Sequence, residues 1–189
     1  LADVPGDAIM VGDVYFGGEF EESFDERLIG NLWYLSPVKM SSLYTVLPYK
    51  SFASDLCADL RGETCAEALD TLWSEDEETG LTVADLMGLS SILAMKETFP
   101  SERSLPEIPD GWRIAEDREY TWLLVRDEAV PGAGGVVWTG VGTEVTVTEQ
   151  TETSVTFTVD AVGSDARVAL SRLDYPGYSV SGAAEADPI

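Results

Sequence analysis

The amino-acid sequence predicts a mixed α+β fold, with an N-terminal α/β half that carries short helices and a C-terminal antiparallel β-sandwich-like half. Before residue 100, short apolar runs alternate with helix-start signals of the form Ser/Thr-x-x-Asp/Glu. After residue 111, apolar and polar residues alternate with a period of two, which is typical of half-buried strands. The connector Ser101–Gly111, rich in proline and glycine, separates the two patterns. We therefore predict an α/β subdomain over residues 1–110 and a β-sandwich-like subdomain over residues 111–189.

The N-terminal half contains strands and short helices, each indicated by its own local pattern. The apolar run Ala8–Val14 predicts a buried strand. The tetrapeptide Ser23–Glu26 is a capping box that opens a helix, and Pro37 ends that helix. Three further helices are predicted: one over Ser51–Arg61, one that begins at the capping box of Thr64, and one that begins at Thr82. A strand over Ser91–Met95 follows them.

The C-terminal half is predicted to contain strands alone. A compact apolar segment comes first, and segments that alternate between valine or phenylalanine and threonine follow it. The predicted strands are Tyr120–Arg126, Glu144–Thr148, Ser154–Val159 and Arg167–Leu173. Strands of this length and spacing favour a small sandwich.

Charge and composition exclude several classes of function. The chain has 35 acidic and 11 basic residues, a formal charge of -24, and no histidine. Such a field repels the phosphates of nucleic acids and of anionic lipids, so we expect no nucleic-acid partner. Without histidine the chain lacks the commonest general base, the usual partner of a nucleophilic Ser or Cys, and the commonest zinc ligand.

The two cysteines, Cys57 and Cys65, flank a predicted turn at Gly62. A helix that ends near Arg61 and another that starts at Thr64 would bring the two sulfurs together. We therefore predict a disulfide, while two buried free thiols remain the alternative.

Other motifs fail on a specific missing residue. The acidic run Ser74–Gly80 resembles a calcium loop that starts at Glu75, but Leu86 then occupies the position of the bidentate Glu. The glycines of Gly132–Gly135 are not followed by a helix pattern, as a dinucleotide site requires. A nucleophilic serine would need a lysine partner, and the chain has only Lys39, Lys50 and Lys96; no carboxylate pair is singled out by an apolar setting. We predict no catalytic residue, no metal site and no cofactor.

Aromatic side chains are the remaining candidates for ligand binding. Trp138, Tyr175 and Tyr178 in the C-terminal half are candidates for stacking on sugar rings. Packing into the core or into the seam between the halves is the more common role of such residues.

Several segments together resemble the YfhO-like bacterial membrane proteins. The resembling segments are Gly30–Pro48, Asp85–Leu93, Gly135–Thr139 and above all Val168–Val180, with its Tyr-Pro-Gly-Tyr turn. The Cys57/Cys65 segment is similar to versions from high-GC Gram-positive bacteria. The resemblance spans about residues 8–182. It implies a polytopic membrane protein with a glycosyltransferase-C-like architecture, of which this chain is the large domain near the C-terminus, on the extracytoplasmic face. The resemblance places no catalytic residue in this chain.

The resemblance implies a non-catalytic role in the glycosylation of cell-envelope polymers. The expected partners are the transmembrane region of the same protein and a cell-envelope glycan or lipid-linked sugar. We read the chain as a fragment of a longer protein, because it begins at Leu1 and carries no signal-peptide pattern. Two alternatives stay open: a structural or protein-interaction ectodomain without a ligand, and a secreted acidic enzyme.

Overall fold

The computed structural model of the chain describes residues 4, 7–12, 26, 39–40, 50–59, 64–99, 105–151, 153–162, 166–172 and 179–182. The described residues form a mixed, β-rich fold with few short helices, so the coarse fold class predicted from the sequence is confirmed. The strands are β1 (Asp7–Val11), β2 (Lys39–Met40), β3 (Ser91–Met95), β4 (Trp112–Asp117), β5 (Thr121–Arg126), β6 (Val136–Thr139), β7 (Thr143–Gln150), β8 (Val155–Ala161) and β9 (Val168–Leu170). The helices are α1 (Lys50–Asp55), α2 (Glu67–Trp73) and α3 (Val83–Leu86), with a 3-10 turn over Lys96–Thr98.

A five-stranded mixed sheet forms the centre of the described structure. Its strand order is β2-β1-β3-β5-β4. The strands β2, β1 and β3 are parallel, β5 is antiparallel to β3, and β4 is antiparallel to β5 and so runs in the same direction as β3. All of β3 is buried, as expected of a central strand that is covered on both faces. The strands β4 and β5 lie beyond residue 110 in the chain, so the sheet itself crosses the predicted division between residues 110 and 111.

The two faces of this sheet carry separate apolar clusters. One cluster joins alternate residues of the strands, such as Ile9 and Ile92, to the helices through Leu69 and Leu72. The other cluster contains the residues that point the opposite way, including Met10 and Leu93, together with Val4. This alternation follows from the period of two along a strand, which sends neighbouring side chains to opposite faces.

The C-terminal residues form two further two-stranded antiparallel ladders, β6–β9 and β7–β8. Residues that flank the β6–β9 ladder lie against the N-terminal residues at Gly88, where an added Cβ would lie 2.8 Å from Ser171 Oγ and 3.0 Å from Ala133 Cβ. An ion pair between Arg167 and Glu78 makes a second connection between the halves.

Local predictions met different outcomes. The strands near residues 8, 91 and 121 and the helix capped by Thr82, whose hydroxyl accepts the Asp85 N–H at 3.2 Å, are confirmed. The capping box at Thr64 is wrong, because α2 has Ala66 as its N-cap and no side-chain cap. The helix predicted over Ser51–Arg61 is shorter, since α1 ends at Asp55. The helix predicted from Ser23 lies outside the described residues, apart from Glu26.

Candidate functional site

The strand order creates a topological switch at β1. The chain passes from β1 to β2 on one side of it and then returns to β3 on the other side. In open sheets with parallel strands, such a reversal leaves a crevice at the carboxyl ends of the two strands, where ligands bind. We therefore take the carboxyl ends of β1 and β3 as the candidate functional site. This switch-point edge is defined by Gly12, Thr64, Lys96 and Thr98.

Gly12 brings the ends of β1 and β3 into close contact. Its φ of +127° lies in a region that side chains rarely adopt. A Cβ added there would lie 2.2 Å from Thr98 Oγ1 and 2.7 Å from Met95 Cβ. The chain therefore leaves β1 directly against the end of β3, and only glycine fits at that point.

Thr64 ties the segment before α2 to the same edge. Its backbone N–H donates to the Gly12 carbonyl at 3.2 Å, and its hydroxyl accepts the Gly12 N–H at 3.0 Å. The hydroxyl also lies 3.3 Å from the Met10 carbonyl, to which it donates. These three bonds extend the hydrogen bonding of β1 past its last residue and explain why Thr64 is buried rather than capping a helix.

The structure joins Cys57 to Cys65, with their Cα atoms 5.9 Å apart. Each cysteine follows a buried residue: Cys57 follows Leu56 in the apolar core, and Cys65 follows Thr64, which hydrogen-bonds to the end of β1. The Cys65 N–H also donates to Cys57 Sγ at 3.1 Å. The bridge therefore links the end of α1 to the segment that Thr64 fastens to the switch-point edge.

We expect the double variant Cys57→Ser/Cys65→Ser to lose about 2–3 kcal/mol of unfolding free energy, because the short closed loop no longer restricts the unfolded chain. Guanidinium unfolding of the oxidised chain and of the variant measures the difference. A reducing agent should shift the midpoint of the oxidised chain and leave the variant unchanged. Equal midpoints for the two proteins would contradict the prediction.

Lys96 and Trp122 form the outer end of the edge, where the 3-10 turn follows β3. The Lys96 ammonium lies 2.6 Å from Asp117 Oδ1 and 5.4 Å from the centre of the Trp122 ring. It also donates to the Arg118 carbonyl. The cation is thus used to hold the β4–β5 turn against β3, and its charge is offset within the protein.

Glu26 contacts the start of β5 from a distant part of the chain. Its Oε2 accepts the Tyr120 N–H at 3.0 Å and the Thr121 hydroxyl at 2.9 Å. A carboxylate that receives two donors at the end of a buried strand fixes the position of that strand.

A second cluster lies at the opposite edge of the sheet, where β5 ends. Arg126 pairs with Asp85 of α3, and its guanidinium carbon lies 5.9 Å from the centre of the Trp112 ring. Trp112 in turn meets Trp73 edge to face, with ring centres 5.1 Å apart. The cluster fastens α2 and α3 to the antiparallel side of the sheet, which is a structural role.

The acidic run Ser74–Gly80 forms a solvated turn between α2 and α3. Asp76 Oδ1 accepts the Thr79 N–H at 2.7 Å, and the Gly80 N–H donates to the Asp76 carbonyl at 2.9 Å. Hydrogen bonds from the Thr79 side chain and then from its backbone lower the pKa of Asp76 below its ordinary value of 3.8. In the parts of the chain that the structure describes, no three potential metal ligands are gathered.

The lowered pKa of Asp76 predicts a pH dependence with a defined sign. Because the folded pKa lies below the unfolded one, the stabilisation is complete above the unfolded pKa and disappears as the pH falls through the folded pKa. Carboxyl NMR titration should find the midpoint of Asp76 below 3.8, the ordinary value. Thr79→Ala should raise that midpoint, whereas an unchanged midpoint would contradict the assigned cause.

The sugar-stacking candidates meet different outcomes. Trp138 is half-buried on β6, and its Cη2 atom lies 3.5 Å from the position of a Cβ added at Gly140. Tyr175 and Tyr178 lie outside the described residues.

The ladder β7–β8 is an amphipathic ribbon. Its register pairs Val145 with Val159 and Val147 with Phe157 on one face, and Glu144 with Asp160 on the other. A bulge between Val147 and Glu149 keeps Glu149 off the apolar face by changing the alternation. Val147 and Val159 remain 41% and 44% exposed, so the apolar face is open to contact.

Sequence reasoning missed three contributors to the switch-point edge. Thr64 was assigned to a helix cap, and Gly12 and Lys96 were not singled out. The available signal was Gly12 itself, because a glycine that ends an apolar strand indicates a close backbone approach.

Among the described residues, no helix is both long and apolar enough to span a bilayer. No family model matches this chain, and neither a curated protein nor a solved structure matches it.

Proposed function

We propose that this chain is a non-catalytic extracytoplasmic domain of a polytopic, YfhO-like membrane protein and assists the glycosylation of cell-envelope polymers. The observation that carries the proposal is the Cys57–Cys65 disulfide, since such bonds persist in oxidising compartments outside the cytoplasm. The segmental resemblance described above and the absence of histidine support the same role.

The charge distribution restricts the ligands of this domain. Within the described residues, Lys96, Arg113, Arg118, Arg126 and Arg167 all lie in ion pairs with acidic side chains. The domain therefore offers anionic polymers a surface dominated by carboxylates. We expect weak or no affinity for anionic polymers such as teichoic acid, and at best about millimolar affinity for neutral sugars.

Trp138 is the described residue best suited to contact a neutral sugar. It is half-buried, which leaves part of its indole for stacking while packing holds the ring in place. We propose that the ladders β6–β9 and β7–β8 belong to a sandwich-like subdomain that presents this residue.

The location is tested by labelling in intact cells that express the complete gene product. Thr153, exposed in the turn between β7 and β8, is replaced by Cys while the native disulfide stays in place. A membrane-impermeant thiol reagent should label Thr153→Cys without permeabilisation. Labelling that appears only after the cells are opened would overturn the extracytoplasmic location.

Sugar binding is tested by NMR titration of the isolated chain with neutral oligosaccharides. Trp138→Ala should abolish saturable shifts, whereas Trp138→Phe should retain most of them because an aromatic face remains. The two variants should have the same circular dichroism as the parent. If Trp138→Ala left saturable binding intact, the sugar-binding site would lie elsewhere in the chain.

The amphipathic ribbon favours one alternative, a protein-interaction ectodomain. A two-stranded ribbon is only marginally stable by itself, and its apolar face gains from being covered. Val147→Thr and Val159→Thr would weaken a protein contact through this face and leave sugar binding at Trp138 unchanged.

A further inference from the structure

One end of the β7–β8 ladder carries two fully exposed valines. Val141 is 107% exposed and Val162 is 96% exposed. The Thr143 N–H donates to the Gly140 carbonyl at 3.0 Å, which closes a turn with Val141 at its apex. The Val162 N–H donates to the Gly142 carbonyl at 3.1 Å, so the second valine lies beside that turn.

Trp138 approaches the same turn from β6. Its Cη2 atom lies 3.5 Å from the position of a Cβ on Gly140, two residues further along the chain. Trp138, Val141 and Val162 together are the valine tip. Loop ends normally carry polar residues, so two fully exposed valines beside a tryptophan indicate a contact surface.

The valine tip is uncharged within a strongly acidic protein. The segment Ala129–Thr143 contains no charged residue, although the whole chain carries -24. The nearest basic residue in the described contacts, Arg167, is ion-paired with Glu78. The three side chains of the tip carry no charge, so a shallow insertion buries none, while the acidic pair Glu144–Asp160 one register step away stays in water and disfavours an anionic surface.

A second copy of the chain is a poor match for this tip. Two valines and part of an indole from each molecule bury far less than the roughly 1,200 Å² of a stable interface. Two chains of this charge also repel each other. Contact with a bilayer can be stable with a smaller buried area when the domain is already attached to the membrane, because the attachment gives a high effective concentration.

We infer that the valine tip docks at the lipid–water interface of a membrane with zwitterionic headgroups. The inference rests on the proposed membrane attachment for its biological setting. Valine side chains enter the acyl boundary, and the Trp138 indole lies at headgroup depth, where aromatic residues concentrate. The tip would thereby set the orientation of the domain relative to the membrane.

The test uses the oxidised chain with phosphatidylcholine vesicles at millimolar lipid. An environment-sensitive fluorophore is attached to Val141→Cys or Val162→Cys, and a matched probe is attached to Thr153→Cys, an exposed residue at the other end of the β7–β8 ladder. The two tip probes should shift to the blue and become shielded from an aqueous quencher, while the Thr153→Cys probe stays unchanged. In flotation, Val141→Asp/Val162→Asp should lower the partition coefficient onto the vesicles about tenfold, which corresponds to about 1.4 kcal/mol.

Several results would overturn the inference. These are unchanged tip probes, equal shifts at all three positions, or binding confined to vesicles of anionic lipid. A blue shift that needs no lipid and grows with protein concentration would instead identify a second copy as the occupant. The intact-cell labelling of Thr153→Cys reports on location alone, so a failure of the proposed function is distinguishable from a failure of lipid docking.

Discussion

Replacing Arg126 by Met is expected to cost about 3 kcal/mol of unfolding free energy, because it leaves the Asp85 carboxylate without its partner. The side chains of Arg126 and Asp85 are only 21% and 12% exposed, so water replaces the lost partner poorly. The change also removes the cation from the face of Trp112. Urea unfolding followed by tryptophan fluorescence measures the loss.

A double-mutant cycle isolates the pair from the surrounding contacts. Asp85→Asn combined with Arg126→Met should be clearly less destabilising than the sum of the single changes. The matched control is the pair Arg113–Asp127, which is 58% and 51% exposed and should cost less than about 1 kcal/mol when broken. Additive effects at Asp85 and Arg126 would show that the pair contributes no coupling.

Replacing Gly12 by Ala is expected to destabilise the fold by about 3 kcal/mol or more. The new Cβ would lie 2.7 Å from Met95 Cβ, and the φ of +127° would be strained for alanine. Because Met95 is fully buried, the end of β3 has little room to move. Thermal unfolding should show a large fall in midpoint, with the switch-point edge the first region to lose protection in hydrogen exchange.

Gly80→Ala provides the control for backbone strain alone. Gly80 has a φ of +67°, but nothing lies within 4 Å of an added Cβ. We expect a cost of about 1 kcal/mol there. If Gly12→Ala cost no more than Gly80→Ala, the close approach of β1 and β3 would not be a constraint on the fold.

The two edges of the central sheet differ in how their polar side chains are used. In the Asp85–Arg126 cluster, the ion pair and the contact between the two indoles hold α2 and α3 against the sheet. The charged groups of this cluster are therefore paired with each other. At the switch-point edge, the Thr64 hydroxyl bonds to the backbone of Gly12 and Met10, and the disulfide at Cys65 fixes the residue that follows Thr64. Removal of the disulfide should therefore lower the local stability of the switch-point edge more than that of the Asp85–Arg126 cluster.

Local sequence patterns determined several elements by themselves. The apolar run at Ala8, the run Ser91–Met95 and the period-two alternation of β7 and β8 predicted strands that the structure contains. The helix cap at Thr82 was also predicted from the sequence and is present in the structure. Each of these signals acts within a few residues, since strand alternation and capping hydrogen bonds are short-range effects.

Partners distant in sequence were decided only by the tertiary structure. Thr64 matches a capping box, but its hydroxyl bonds to Gly12, 52 residues away, because that site offers a buried backbone N–H that needs an acceptor. By their sequence pattern, β4 and β5 belong to the β-rich half. In the structure β5 pairs with β3, whose backbone groups on that side need hydrogen-bond partners, and β4 pairs with β5. The local sequence pattern determines which segments form strands and helices. Their positions in the fold are determined by two further requirements: buried polar groups need hydrogen-bond partners, and both faces of β3 must be covered.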